Sequence, residues 1–196
     1  MFAPPLTATT LALKEWGAVA AALLDGRQTV LLRKGGIHEK RFVVSPERGD
    51  ANRFVLFPTV AHSHAERVRP EHAALLAVGA ADVADGALVV RCGLTLVDAV
   101  EVRRPEALVE IADLHIWTEE SVRVDRLEFR PRVPLAALVV RAVALPEPVV
   151  LPRLEAYGGC RSWVDLPVAW DGAAGRQVHA ESRLAADATR VRAALA

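Results

Sequence analysis

Two basic residues followed by two glycines form a segment that could bind an anion, Arg33-Lys34-Gly35-Gly36. The backbone N–H groups of paired glycines can surround an anion, Arg can bind phosphate through two hydrogen bonds, and Lys adds a compact charge. The spacing excludes a P-loop, which needs Gly-x-x-x-x-Gly-Lys-Ser/Thr before a helix. The segment therefore predicts a phosphate contact, and a hairpin turn with basic flanks is the alternative.

Four further side chains could complete a ligand site around that phosphate. His62 and His64 are two residues apart, so on a strand they would face one side and could line a base or sugar, with surface-loop histidines as the alternative. Trp117 could stack on a base, although a Trp beside apolar Ile116 is also typical of a core anchor. Arg141 interrupts an apolar run, where a charge must be paired or face a cleft, so it could hold an anion.

Catalysis is a second possibility, and it would depend on carboxylates. Glu15, Glu39 and Glu101 could hold Mg²⁺ in a nuclease or phosphoesterase that also uses a histidine such as His62, although no Pro-Asp dipeptide or Glu-x-Lys is present. Cys160 follows two glycines and could be a nucleophile, but a small buried thiol is the commoner role of such a residue. No other cofactor is predicted, because the chain has no HExxH motif and no zinc spacing of Cys and His. With His38 or His115, the pair His62 and His64 could also bind a metal or transfer a proton.

The overall charge balance argues against a generally basic surface. The 196 residues carry 24 Lys and Arg and 24 Asp and Glu, whereas a protein that binds nucleic acid without specificity usually has a basic excess. Any phosphate site is therefore expected to be local. Two distant cysteines, no evident signal peptide and no apolar run near the ~20 residues of a membrane helix predict a soluble, cytoplasmic protein with reduced thiols.

The periodicity of the first half predicts one helix followed by strands. A helix is expected from Thr9 or Thr10 to Leu24, because apolar residues recur at helical spacing and Asp25-Gly26 can end it. The remaining elements predicted here are a strand in RQTVLLR, two strands in 41–59 around a polar turn and a short helix over 70–78. Residues 87–102 are long enough for one strand that bends at Gly93 or for two paired strands.

The second half adds short helices, a buried strand and a terminal helix. Pro105 and Thr118 can each begin a short helix, and residues 134–148 form the clearest buried strand. A glycine turn at 157–160 leads into a further short strand. The last residues place one apolar stripe on a helix, made of Leu184, Ala188, Val191 and Leu195.

This order of elements predicts an α+β fold: a mostly antiparallel mixed sheet, or a partly closed β-barrel, with an N-terminal helix, short helices and a C-terminal helix. Residues 1–166 are expected to form one domain. Residues 167–196 are expected to be a linker and an amphipathic helix that packs on the body or on a partner, including a second copy of the chain.

The chain resembles a family of bacterial and archaeal proteins called domain of unknown function 1802. The similarity lies in ALKEWGAVAAALLDGRQTVLLRKGGIHE, FVLFPTVAHSH, LHIWT, PLAALVVRAVALPEP and YGGCRSWVDL, and it extends to about Leu166. The segment LLDGRQTVLLRKGG also resembles ASCH and related PUA-like domains, whose Gly-x-Lys pattern corresponds to Gly26, Gln28, Leu31 and Arg33. The resemblance implies a mixed β-barrel that binds RNA or modified nucleotides. Gln28 stands in place of the usual Lys and Leu31 in place of an acidic residue, so ASCH-type catalysis is not implied.

Three functions follow from these patterns. The first is a domain that binds RNA, DNA or a nucleotide in a cleft, with phosphate contacts from Arg33, Lys34 and the two glycines. The second is a magnesium-dependent nuclease or phosphoesterase. The third is an interaction module without catalysis, whose C-terminal helix docks on a partner.

Overall fold

A computed structural model describes residues 9–34, 52–60, 65–84, 86–159 and 161–196. The strands are β1 (Thr10–Trp16), β2 (Val30–Lys34), β3 (Arg53–Thr59), β4 (Ala87–Glu101), β5 (Leu135–Pro152), β6 (Trp163–Leu166) and β7 (Arg176–Gln177). The α-helices are α1 (Gly17–Leu24), α2 (Ala74–Ala81), α3 (Glu119–Val122) and α4 (Glu181–Leu195). Among these helices, none is long and apolar enough to cross a membrane.

The strands form one mixed sheet that does not close into a barrel. Their order is β2-β5-β4-β3-β1-β6, and β7 pairs with β5 beyond the end of β2. The neighbouring pairs run antiparallel except β1 and β3, which run parallel. This architecture confirms the predicted α+β class with a mostly antiparallel mixed sheet.

The predicted N-terminal helix begins later than the sequence pattern suggested. Residues from Thr10 to Trp16 form β1 instead, because this segment lies between β3 and β6 and satisfies its backbone groups there. The helix α1 begins at Gly17, so helical spacing holds only for the second half of the predicted segment. The hydroxyl of Thr10, expected to cap a helix, donates to the carbonyl of Val168 at 2.5 Å.

The long strands β4 and β5 pair along most of their length, with two irregularities in register. These shifts fall between Val90 and Cys92 and between Leu96 and Asp98, on either side of the predicted bend at Gly93. Gly93 is needed for a different reason: a Cβ there would collide with the ring of Trp170. Of the two predicted alternatives, the structure has the single strand, and its irregular points differ from the predicted one.

Shorter elements also follow the predicted pattern. The helical segment near Pro70 consists of a 3₁₀ turn, Pro70–His72, followed by α2. Pro105–Leu114 forms a 3₁₀ helix. Thr118 caps α3, since its hydroxyl oxygen accepts a hydrogen bond from the Ser121 amide, and the chain continues as a π-helix, Arg123–Glu128. The first of the two strands predicted in 41–59 lies outside the described residues.

The C-terminal helix α4 packs against the body of the protein. Its predicted apolar stripe is buried: Leu184, Val191 and Leu195 are fully enclosed and Ala188 nearly so. The helix lies against Pro105–Leu114 and against β4 and β5. The boundary at residue 166 and the docking of a second copy stay predictions.

Candidate nucleic-acid interface

The predicted site residue Arg33 forms an ion pair with the predicted catalytic residue Glu15. Arg33 Nη1 donates to Glu15 Oε2 at 3.1 Å, and the side chains are 16 % and 5 % exposed. The second carboxylate oxygen, Oε1, accepts from the Trp16 backbone amide at 2.9 Å. Both oxygens of Glu15 therefore accept hydrogen bonds from nitrogen donors, and a catalytic role for Glu15 stays a prediction.

A second arginine, Arg126, lies beside this pair. It is supplied by the π-helix Arg123–Glu128, its Nε donates to the Leu32 carbonyl at 3.2 Å, and its guanidinium lies over the Trp117 ring, 4.9 Å from the centroid. Because Leu32 immediately precedes Arg33 in β2, the π-helix and the strand bring the two arginines together.

Burial and neighbouring charges act on Arg126 in opposite directions. Burial lowers the pKa of Arg126 most, because a guanidinium removed from water loses hydration. Glu15 and Asp125 raise this pKa, while the positive charges of Arg33 and Arg67 lower it. Arg67 in turn pairs with Asp125 at 2.8 Å. Hence all five charged groups share one electrostatic environment.

We refer to Arg33, Arg67, Arg126, Glu15 and Asp125 as the arginine cluster. Among the residues that the structure describes, it holds three cations and two carboxylates, and the side chains of Glu15, Arg33 and Asp125 are largely enclosed. In addition, Arg33 Nε is buried and has no hydrogen-bond partner in the part of the chain that the structure describes. A cationic excess in an enclosed place is costly unless an anion neutralises it.

The predicted phosphate ligand Lys34 contacts a neighbouring loop. Its Nζ donates to the backbone carbonyls of Leu127, Phe129 and Arg130 at 3.4, 2.5 and 2.8 Å. An ammonium group has three N–H donors, so this loop occupies all of them. Partial burial also lowers the pKa of Lys34. Contact between Lys34 and phosphate stays a prediction, and in this structure the residue anchors the loop.

Trp117 is buried and acts as a core anchor. It is 3 % exposed, packs edge to face against Trp16 with ring centroids 4.9 Å apart, and is covered by Arg126. The adjacent His115 is also enclosed, and its Nδ1 accepts a hydrogen bond from the Trp117 amide at 3.2 Å. Base stacking on Trp117 would therefore require that Arg126 move away.

Arg141 lies apart from the arginine cluster. Its guanidinium makes two hydrogen bonds of 2.7 Å to Glu181 at the start of α4. Arg33 pairs with Ala136 across β2 and β5, and Ala136 and Arg141 are an odd number of residues apart along β5. Side chains alternate along a strand, so Arg33 and Arg141 project from opposite faces of the sheet.

Several predicted site residues lie outside the described residues: Gly35, Gly36, His38, Glu39, His62, His64 and Cys160. The first two directly follow Lys34 in the sequence. Thr59, near the start of the segment that contains both histidines, donates from its hydroxyl to the Glu15 carbonyl at 3.0 Å. Within the described ranges, no group of three His, Cys, Asp or Glu residues could hold a metal ion.

Sequence reasoning identified Arg33 and Glu15 but not Arg67 or Arg126. The available signal was density: Arg123, Arg126, Arg130 and Arg132 fall within ten residues around the π-helix. That signal was not informative without the fold, because the same stretch could have been a solvated helix face.

The fold and the site define the class: an α+β protein with one open mixed sheet and a largely enclosed cluster of arginines. The model of one family matches residues 12–190, so the chain belongs to the family described as domain of unknown function 1802. The match reaches into α4, beyond the limit of about Leu166 expected from the sequence. No curated protein matches the chain.

Solved structures similar to this protein include ASCH proteins, in agreement with the resemblance of the N-terminal segment. The crystal structure of ASCH from Zymomonas mobilis is 17 % identical with a TM-score of 0.46, covering 80 % of this chain and 86 % of that one. Two single-residue mutants of the same protein are each 16 % identical, with TM-scores of 0.44 and 0.45, and cover 80 % of this chain and 88 % and 87 % of theirs.

Proposed function

We propose that the arginine cluster binds phosphate groups of a nucleic acid or nucleotide. The observation that carries this proposal is the cationic excess: three arginines surround two carboxylates, and the enclosed Nε of Arg33 has no partner among the described residues. Guanidinium groups fit phosphate because their planar N–H donors match its oxygens in pairs. A bound phosphate would supply both the missing negative charge and a hydrogen-bond acceptor.

A local site agrees with the neutral overall charge. Equal numbers of acidic and basic residues leave no general attraction for polyanions, so phosphate binding would have to come from a focused cluster. Gly35 and Gly36 follow β2 directly in the sequence and could add backbone N–H donors. RNA is the first ligand to test, because the resemblance to PUA-like domains implies it.

The test measures binding of a fluorescent single-stranded RNA by anisotropy at about 50 and 200 mM salt, where each phosphate contact on a single strand contributes about −0.7 to the log–log slope. Arg33→Gln and Arg126→Gln should weaken binding about tenfold each and flatten that slope. The matched control is Arg91→Gln, which removes the same charge from a distant pair with Asp82 and should bind like the wild type.

Two results would contradict the proposal: a salt-independent affinity, or equal affinities for Arg33→Gln and Arg91→Gln. Cleavage of the labelled RNA that EDTA abolishes, and that Glu39→Gln removes, would instead support the magnesium-dependent nuclease. Every binding sample is therefore also run on a denaturing gel to detect cleavage.

A further inference from the structure

The end of the π-helix and the residues that follow it expose an aromatic ring. We call residues 127–133, which begin with the last two residues of the π-helix, the Phe129 loop. Phe129 is 55 % exposed, whereas the other aromatic residues that the structure describes are buried or partly buried. An aromatic ring in water is available to stack on a planar partner, and the groups that hold and flank it decide which partner fits.

The backbone of the Phe129 loop is held in a conformation that side chains rarely adopt. Arg130 has a φ of 48°, and it is the one non-glycine residue with positive φ in the described ranges. The Lys34 ammonium holds the loop through three carbonyls, and the Val133 amide donates to the Arg130 carbonyl at 2.9 Å. Such strain persists where the surroundings fix it and is typical of functional sites. The exposed ring is thus presented in a fixed position.

Positive charge flanks the exposed ring. The Arg130 guanidinium lies over the Phe129 ring, 5.1 Å from its centroid. Arg132 is exposed and makes no hydrogen bond or ion pair to the residues that the structure describes. Glu128, the nearest acidic residue along the sequence, is paired with Arg123. An aromatic ring with arginines beside it is the combination that binds single-stranded nucleic acid, because the ring stacks on a base and the arginines contact phosphates.

The Phe129 loop is continuous with the arginine cluster. Arg126 belongs to the π-helix that leads directly into the loop, and Lys34 joins the loop to the strand that carries Arg33. A strand of nucleic acid could therefore contact both regions at once. The bases of a duplex are already stacked on each other, so an exposed ring selects single-stranded segments.

We propose that Phe129 stacks on a base of single-stranded nucleic acid whose adjacent phosphates contact Arg130 and Arg132. This inference rests on the proposed function and extends it from a phosphate site to a preference for single strands. RNA and DNA share the chemistry that it requires, and the experiment compares them.

The experiment measures anisotropy with three probes: a single-stranded uridine oligomer, a thymidine oligomer and a duplex. Phe129→Leu keeps an apolar side chain and removes the aromatic face, so affinity for both single strands should fall roughly tenfold with an unchanged salt slope. Phe129→Trp should restore binding. Arg132→Gln should instead flatten the salt slope by about 0.7, the contribution of one phosphate contact on a single strand.

The matched control is Val124→Ala, which alters a neighbouring exposed apolar residue and should leave binding unchanged. If Phe129→Leu binds single strands like the wild type while Arg33→Gln does not, the stacking proposal is wrong and the proposed function stands. If the wild type binds none of the probes, both fail. Loss of self-association in Phe129→Leu with normal RNA binding would assign the ring to a protein contact and overturn the proposal.

Discussion

Glu15 and Arg33 form an ion pair between strands that are four positions apart in the sheet. In the order β2-β5-β4-β3-β1, neighbouring strands lie ~4.8 Å apart, so a flat sheet would separate β1 from β2 by about 19 Å. The 3.1 Å distance between Arg33 Nη1 and Glu15 Oε2 therefore requires that the sheet curl. Side chains connect the two strands where no backbone pairing joins them.

Glu15→Gln should lower the stability of the protein and raise its affinity for RNA. The variant leaves Arg33 and Arg126 with one carboxylate fewer to neutralise their charges, so the free energy of unfolding should fall by about 1–3 kcal/mol. The arginine cluster would carry one more net positive charge, so RNA should bind more tightly and with a steeper salt slope. Urea denaturation and anisotropy measure the two effects.

The control for Glu15 is Glu181→Gln, which breaks the more exposed pair with Arg141 and should cost less than about 1 kcal/mol. A Glu15→Gln variant that binds RNA more weakly than the wild type would show that the pair positions the site, and that excess charge does not govern binding.

His115 should make stability depend on pH below neutrality. Burial, with positive charge from Arg69 and Arg126, lowers its pKa to about 3, whereas an unfolded histidine titrates at about 6.5. Between these values the unfolded chain binds a proton that the folded chain does not. Stability from this group is therefore complete above pH 6.5 and falls by about 1 kcal/mol per unit as the pH decreases.

The measurement compares urea midpoints at pH 7 and pH 5 for the wild type and His115→Asn, whose oxygen can still accept the Trp117 amide hydrogen bond. His115→Asn should be less stable than the wild type at pH 7, but its stability should fall less between pH 7 and pH 5. Leu184→Ala, destabilised without any change in titrating groups, should retain the wild-type difference. If the urea midpoint falls equally in all three proteins between pH 7 and pH 5, His115 is not the cause of the pH dependence.

Gly79→Ala should destabilise the contact between α1 and α2. A Cβ at Gly79 would collide with the backbone of Gly17 and Ala18, which belongs to α1 and cannot rotate away. Separating the helices should cost about 2–4 kcal/mol, the upper range for overpacking. Val78→Ala, at a 57 % exposed site on the same helix, should change the melting temperature little. A Gly79→Ala protein as stable as the wild type would contradict this close packing.

Leu184→Ala should show that α4 is part of the folded body. Leu184 is fully buried, and truncating a buried Leu costs about 2–5 kcal/mol. The loss should not depend on protein concentration, because the stripe packs within the chain. Val109→Ala, at a 67 % exposed site, is the control and should cost less than about 0.5 kcal/mol. A concentration-dependent loss would indicate that a partner covers the helix.

The local sequence pattern was sufficient to predict those elements whose tertiary contacts favour the same structure as the pattern does. The stripe on α4, the Thr118 cap and the buried strand β5 were predicted because spacing and side-chain type point to one structure. The segment that forms β1 was predicted to be helical from the spacing of its apolar residues. It forms a strand because it pairs with residues as distant as Leu166. No window of neighbouring residues contains that information.

The candidate site was predictable in part for the same reason. Arg33 and Glu15 stood out by type, but their ion pair depends on the curl of the sheet. Trp117 and Phe129 are both aromatic residues near arginines in the sequence, and only tertiary packing decides that the first is enclosed and the second is exposed. Arg67 and Arg126 reach the cluster from segments far apart in the chain.

The position of β1 between β3 and β6 has a consequence for the nascent chain on the ribosome. β1 is synthesised first, yet its two partners emerge later, and β6 only after β4, β5 and most of the core have been made. Until then β1 carries unpaired backbone groups on an apolar segment. Pairing between such distant residues is slow to form. β1 therefore gains both of its partners only after β6 has been synthesised, and local collapse of the N-terminal segment cannot place it.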